Sequence, residues 1–283
     1  GSRVMYKIID GKETAKLIKA EIKEEVKVLK ETYGKTPGLA VVIVGDDPAS
    51  KVYVNSKVKS CEDLGIYSEK HVMPVDISEE DLLALVDKLN KDEKLHGILV
   101  QLPLPKGLNS KLIIDSIAKE KDVDGFHPSN IGRLVQGLPT FIPATPYGIL
   151  LLLAHYNINT KGKHAVVIGR SNIVGRPMSI LLSSNIPQGN CTVTLCHSHT
   201  PNLTALCLQA DIVVAALGKP EFVTADMVKD GAVIIDVGIT RVDDASAKKG
   251  FRIKGDVLYQ DVAPKASAIT PVPGGVGLMT IAG

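Results

Sequence analysis

Apolar residues along this chain alternate between two periods. Over residues 12–33 they recur at helical spacing (Ala15, Ile18, Ile22, Val26, Leu29) and predict an amphipathic helix that stops at Gly34, with Pro37 beyond it. Residues 38–45 form a continuous apolar run of strand length, broken by Asp46-Asp47-Pro48. A helix over 50–64, closed by Gly65, and a strand over 67–75 come next. Ser78 and the acids behind it open a helix that runs to about Asn90. A buried strand over 97–101 is stopped by Pro103 and Pro105, and a helix follows near 109–118. The alternation resumes with a strand over 164–169 and a loop that becomes a helix over 173–184. Strands over 191–196, 211–218 and 232–238 complete the pattern, with a short helix over 205–209.

Continuous apolar strands separated by helices indicate parallel sheets covered on both faces, and the fold class read from them is α/β. Residues 137–146 hold three prolines and separate the two halves, so the domain boundary is expected there.

Composition narrows the class of function. With 45% hydrophobic and 23% charged residues the chain has the material for a packed core and not the signature of disorder. A net charge of +2 gives no reason to expect nucleic acid or an anionic membrane as partner. The strongest apolar run, 148–154, falls well short of the ~18 residues that span a bilayer. No signal peptide opens the chain, and a cytoplasmic protein is expected. Cys61, Cys191, Cys196 and Cys207 contain no Cys-x-x-Cys pair and are expected to be reduced and mostly buried. Cys191, Cys196, His197 and His199 lie close together, but their spacing fits no standard zinc module. A strand over 191–196 also points alternate side chains to opposite faces, so no metal is expected.

Two regions carry candidate chemistry. The strand over 164–169 ends in Gly169-Arg-Ser-Asn-Ile-Val-Gly175. A glycine there permits a tight turn, and the helix that follows can hold a phosphate at its N-terminus; the same residues also suit an ordinary strand-to-helix turn. The next strand ends Cys196-His-Ser198-His-Thr200, without the acid that would read a free ribose hydroxyl ~20 residues on. Arg170 and Ser198 can donate to a 2′-phosphate, which favours NADP over NAD. In the first half, Tyr53 and Lys57 share a helix face at i,i+4 near the carboxyl edge of a parallel sheet. A lysine kept partly from water has a lowered pKa suited to proton transfer; a surface lysine beside a half-buried tyrosine satisfies the same spacing. Gln101 at a strand end and Asp124 in Asp122-Val-Asp-Gly125 match a flat heterocycle with mixed donors and acceptors, and equally a strand cap and ordinary turn residues.

Taken in order, Tyr53-Val-Asn-Ser-Lys57, Val100-Gln-Leu-Pro-Leu-Pro105, Lys121-Asp-Val-Asp-Gly125, Gly169-Arg-Ser-Asn-Ile-Val-Gly175 and Thr270-Pro-Val-Pro-Gly-Gly-Val-Gly277 resemble the signature of the bifunctional methylenetetrahydrofolate dehydrogenase/methenyltetrahydrofolate cyclohydrolase family over nearly the whole chain. The resemblance implies two α/β domains with a cleft between them. The first, 1–142 with 275–283 packing back, would be catalytic and bind folate; the second, 143–274, would be a Rossmann-type NADP-binding domain. It implies NADP-dependent oxidation of 5,10-methylenetetrahydrofolate and hydrolysis of the methenyl product to 10-formyltetrahydrofolate by a cytoplasmic homodimer of one-carbon metabolism. By the same resemblance Lys57 is the acid/base residue, set by Tyr53 and assisted by Gln101, and Asp124 holds the pterin. Val100, Leu102, Pro271, Gly274 and Gly275 complete the folate contacts. The cofactor residues are Gly169, Arg170, Ser171, Ile173 and Gly175, with Ser198, Ala216, Gly218, Gly238 and Ile239. Two departures stand out: Leu278 replaces the family's usual proline, and the family normally continues beyond the position of Gly283 into a helix. A dehydrogenase without the hydrolase step and a non-catalytic nucleotide-binding module are the alternatives, and the presence of Lys57, Gln101 and Asp124 argues against both.

Overall fold

The computed structural model describes residues 7–272. In chain order the elements are β1 (Lys7–Ile8), α1 (Gly11–Tyr33), β2 (Gly38–Val44), α2 (Pro48–Leu64), β3 (Tyr67–Met73), α3 (Glu79–Asn90), β4 (Gly97–Val100), α4 (Ser110–Asp115), α5 (Pro128–Gln136) and α6 (Ala144–His155). They continue with β5 (His164–Ile168), α7 (Gly175–Ser183), β6 (Thr192–Cys196), α8 (Leu203–Leu208), β7 (Ile212–Ala215), β8 (Val233–Asp236), β9 (Thr240–Asp243), β10 (Phe251–Lys254), α9 (Tyr259–Val262) and β11 (Ala268–Ile269). Among the described residues no helix is long and apolar enough to cross a membrane.

The described residues form two compact units, 16–143 and 7–15 with 144–272. In the first, β2 is the centre of a parallel three-stranded sheet of order β3-β2-β4. Being central, it is apolar on both faces. Ala40, Val42 and Val44 join Leu82, Val86 and Leu89 of α3 and Ile113 of α4 on one side; Val41 and Ile43 meet Val54 of α2 on the other. Local signals start the helices that flank it. Asp47 accepts from Ser50 N at 3.1 Å with Pro48 in the first turn of α2, and Ser78 Oγ accepts from Asp81 N at 3.0 Å at α3.

The second unit is built on a six-stranded sheet of order β1-β11-β8-β7-β5-β6, parallel throughout. β5 is followed on one side by β6 and on the other by β7, so the order reverses direction at β5. Open α/β sheets bind ligands at the carboxyl ends of the strands at such a point. β9 and β10 form a separate antiparallel hairpin.

The division after residue 143 falls inside the proline-rich stretch, but the first residues do not go where they were expected. β1 pairs with β11 in the six-stranded sheet: Lys7 N donates to Ser267 O at 2.9 Å and Ile9 N to Ile269 O at 2.8 Å. Residues 7–15 therefore belong with the second unit and not with the first, because two short strands satisfy each other's backbone groups across 260 residues of sequence. The expected return of 275–283 to the first domain lies outside the described residues. Helices α5 and α6 are also additional to the pattern. α6 buries Pro146, Gly148, Ile149, Leu150, Leu152 and Leu153, is apolar all round, and so carries no period to read.

Candidate active site

The first site grows from α2. Val54 is buried against the sheet, which leaves Tyr53 exposed and Lys57 half-buried one turn further on. Lys57 Nζ donates to Gln101 Oε1 at 3.0 Å. Gln101 continues β4 by one residue, its N–H donating to Val42 O at 2.8 Å, and its Nε2 donates to Leu102 O at 3.0 Å. That second bond fixes the amide so that its oxygen faces the lysine. Val100, the last residue of β4, is buried, and Leu102 is half-buried.

Asp122 and Asp124 have different duties. Asp122 bridges in parallel to Ile98, which lays the segment along β4. Its buried carboxylate accepts from His127 N at 2.7 Å and Asn130 Nδ2 at 3.0 Å, so it holds the turn into α5. Asp124 is the carboxylate that faces the lysine electrostatically. Burial pushes its pKa up to about 6, against the pull of Lys57 and with a further push from Asp122. Burial likewise lowers the Lys57 ammonium, opposed by Asp124. Each group is thus moved toward its neutral form, the state in which an amine accepts a proton and a carboxylic acid donates one.

The second site lies at the carboxyl ends of β5, β6, β7 and β8. Gly169 leaves β5 at φ +112°, and a Cβ on it would overlap the Ala216 carbonyl oxygen; a Cβ on Gly175 would overlap the Gly169 carbonyl. The loop between them is closed on itself. Ser171 Oγ accepts from Val174 N at 3.1 Å, Arg176 N donates to Ser171 O at 3.0 Å, and Arg176 Nε donates to Arg170 O at 3.2 Å. Arg170, Ser171 and Ile173 are exposed on it. Register pairs Ile168 with Cys196, so the residues after them leave adjacent strand ends together, and Ser198 is exposed there. Ala216 and Gly218 follow β7; Gly238 and Ile239 follow β8. A glycine-closed turn into α7, an exposed arginine on it and strand ends without an acid over 196–200 fit a dinucleotide carrying an extra phosphate.

Comparison with known families gives a model of the tetrahydrofolate dehydrogenase/cyclohydrolase catalytic domain matching residues 9–124 and one of the corresponding NAD(P)-binding domain matching residues 143–283. The chain belongs to the tetrahydrofolate dehydrogenase/cyclohydrolase family. The bifunctional protein FolD of Chlorobium chlorochromatii is 57% identical over 97% of this chain and 94% of its own. Among solved structures, the bifunctional FolD methylenetetrahydrofolate dehydrogenase/cyclohydrolase of Campylobacter jejuni superposes with a TM-score of 0.92 at 47% identity, covering 98% of this chain and 95% of that one. The Trypanosoma brucei methylenetetrahydrofolate dehydrogenase-cyclohydrolase, solved with NADP cofactor and inhibitor, gives 0.91 at 38% identity over 98% and 94%.

The tetrahydrofolate dehydrogenase/cyclohydrolase family residues expected from sequence thus fall into two groups. Tyr53, Lys57, Val100, Gln101, Leu102 and Asp124 stand at one sheet edge, and the ten cofactor residues stand at the other. Pro271 is half-buried just past β11, while Gly274, Gly275 and Leu278 lie outside the described residues.

Sequence reasoning missed a buried acidic scaffold beneath the cofactor edge. Asp236 Oδ1 accepts from Gly238 N at 2.9 Å and Asp256 N at 3.0 Å, and Oδ2 accepts from Val257 N at 3.0 Å. Asp256 Oδ2 accepts from Leu217 N at 2.8 Å and Gly218 N at 3.0 Å. Two carboxylates thereby hold the loops after β7 and β8 to the segment after β10. Burial, the largest influence on each, raises both; Asp236 reaches about 6 despite its three amide donors, with Asp256 adding to the rise. The available signal was an acid closing an otherwise apolar strand at Asp236-Val-Gly238. The cysteines are free and buried, and Cys191 Sγ donates to Thr160 O at 3.3 Å. Among the described residues no group of histidines, cysteines and acids is arranged to hold a metal.

Proposed function

We propose that this enzyme oxidises 5,10-methylenetetrahydrofolate with NADP and hydrolyses the resulting 5,10-methenyltetrahydrofolate to 10-formyltetrahydrofolate, with Lys57 as the acid/base residue of the second step. The observation that carries the residue assignment is the bond from Lys57 Nζ to Gln101 Oε1 at 3.0 Å, made by an amine whose charged form burial disfavours.

NADP, when bound, supplies the acceptor for the hydride that leaves the methylene carbon. On this reading the closed turn from Gly169 to Gly175 and the start of α7 receive the pyrophosphate, and Arg170 with Ser198 receives the 2′-phosphate. Ser171, Ile173, Ala216, Gly218, Gly238 and Ile239 line the remainder of the cofactor seat. Hydride transfer is a positioning task and asks no nucleophile of the protein.

Hydrolysis asks more. The methenyl carbon is an electrophilic amidinium, and water adds to it only if its proton has somewhere to go. Neutral Lys57 takes that proton, and Gln101 keeps the amine in place. The tetrahedral adduct then opens as one carbon–nitrogen bond breaks, the leaving nitrogen regains a proton, and the formyl group is left on the other nitrogen. Asp124 grips the polar edge of the pterin, and Tyr53, exposed one turn before Lys57, offers its ring to the folate. The family resemblance adds Pro271, Gly274 and Gly275 to the folate residues, the last two lying outside the described residues. The same reading makes the enzyme a cytoplasmic homodimer, which the family resemblance supports.

The test is an absorbance assay with 5,10-methylenetetrahydrofolate and either NADP or NAD, beside a second cuvette that follows pre-formed methenyltetrahydrofolate without nucleotide. NADPH formation together with methenyl decay faster than in buffer is expected. NADPH formation with decay at the buffer rate would reduce the enzyme to a dehydrogenase.

A further inference from the structure

We propose that His197 is a third recognition residue for the cofactor's 2′-phosphate, and that it makes the preference for NADP over NAD depend on pH. This rests on the NADP reading above and deepens it.

The placement comes from the sheet. Ile168 and Cys196 are register partners, and Gly169 N donates to Cys196 O at 2.9 Å. Arg170 and His197-Ser198 therefore emerge side by side from adjacent strand ends. His197 is held there from both ends: its N–H donates to Thr200 Oγ1 at 2.8 Å, and its ring Nδ1 accepts from His199 N at 3.2 Å. With Nδ1 serving as acceptor, the neutral ring carries its proton on Nε2 and presents a donor.

The electrostatics point to an anion. The groups acting on the His197 ring are Arg170, from the loop after β5, and His199, from its own loop, with the two imidazole centroids 6.1 Å apart. Neither is a carboxylate. Arg176, from α7, is tied to the Arg170 carbonyl. Partial burial, then Arg170, then His199 hold the His197 imidazolium below its ordinary range. A phosphate monoester brings a charge of about −1.5 to −2 and three acceptor oxygens, which reverses the sign of that neighbourhood. His197 then takes up a proton as the cofactor binds. The proton goes to Nδ1, and the His199 N–H displaced from it becomes one more donor at the same place. NAD, with a hydroxyl in that position, brings no such charge. NADP affinity therefore strengthens as pH falls through the bound-state pKa of His197, and NAD affinity does not.

The experiment measures dissociation constants of NADP and NAD for the full chain between about pH 6 and about pH 8.5, in the original sequence, His197→Gln and His197→Arg. Thermal transitions report that each variant is folded. The phosphate of free NADP titrates near pH 6 whichever protein is present, so differences between the three proteins report residue 197. In the original sequence the preference for NADP should grow by about five-fold as pH falls from about 8 to about 6.5, the difference between a neutral and a charge-assisted donor. His197→Gln should flatten that slope, and His197→Arg should keep a strong preference at every pH. Equal slopes for the original sequence and His197→Gln would overturn the role of His197 and leave the NADP reading standing. No preference for NADP at any pH in the original sequence would overturn both.

Discussion

Lys57 Nζ donates to Gln101 Oε1 at 3.0 Å, across 44 residues of sequence, and the bond joins the middle of α2 to the end of β4. It puts a partly desolvated amine at the carboxyl edge of a parallel sheet, beside a carboxyl group whose pKa is about 6. Substituting Lys57→Met keeps much of the stem's apolar volume and deletes the amine. Hydrolysis of methenyltetrahydrofolate should fall by about 10²-fold or more, while NADP affinity is unchanged, because the cofactor residues stand on the other sheet. A stopped-flow decay and a nucleotide titration check the two halves of this statement, and an equal loss of cofactor affinity would show the assignment of roles to be wrong.

The same pair fixes a pH dependence. Lys57 must be neutral to take a proton, so the hydrolysis rate should rise with pH and level off below the ordinary lysine value of about 10.4. Asp124 raises the Lys57 pKa, opposing the desolvation that lowers it. Removing that carboxylate in Asp124→Asn should therefore move the rising limb to lower pH as well as weaken folate binding. A limb that stays in place, in a pH profile of kcat, would mean that another group is being titrated.

Gly175 has no room for a side chain, since a Cβ there would meet the Gly169 carbonyl and Arg170 Cα. Gly175→Ala should cost about 1–3 kcal/mol of stability and spread the turn that receives the pyrophosphate. Thermal unfolding and an NADP titration should both shift, with the loss of NADP affinity exceeding that expected from unfolding alone. An unchanged affinity would place the pyrophosphate elsewhere.

The buried acids should respond unequally to amide substitution. Both Asp236 oxygens accept from backbone N–H groups, so Asp236→Asn must set an NH2 against a donor, at a cost of about 1–3 kcal/mol. Among the described residues the buried Asp256 Oδ1 makes no hydrogen bond, so Asp256→Asn keeps the Oδ2 acceptor for Leu217 and Gly218 and removes a buried charge. Asp256→Asn should be the milder change in a denaturant melt. The pKa of Asp236 is raised in the folded chain from 3.8 to about 6, so its contribution to stability is present at low pH and is lost as pH rises through that interval. Asp236→Asn should abolish this component, and a pH series of melting temperatures would reveal a failure.

Much of the fold was legible because its elements announce themselves locally. β2 and β5 are continuous apolar runs, α1 carries a helical period, and Asp47-Pro48 and Ser78 are start signals. α6 was not legible as a helix, because its apolar residues run together without the spacing that marks one buried face. β1 and β11 are two residues each and become strands only by pairing with one another and with β8.

The candidate residues divide the same way. Residue types and their periods determined by themselves that this is an α/β protein, and the resemblance of its ordered motifs to the tetrahydrofolate dehydrogenase/cyclohydrolase family singled out Lys57, Gln101, Asp124, Arg170 and Ser198. Only the tertiary structure separated Asp122, which holds a turn, from Asp124, which faces the lysine, since the two acids are alike in sequence and differ in what surrounds them. Only the tertiary structure drew residues 7–9 onto the edge of the second sheet and set Asp236 against Asp256 under the cofactor edge. Backbone hydrogen bonding and desolvation are properties of surroundings that residues distant in the chain create together, and no local pattern carries them.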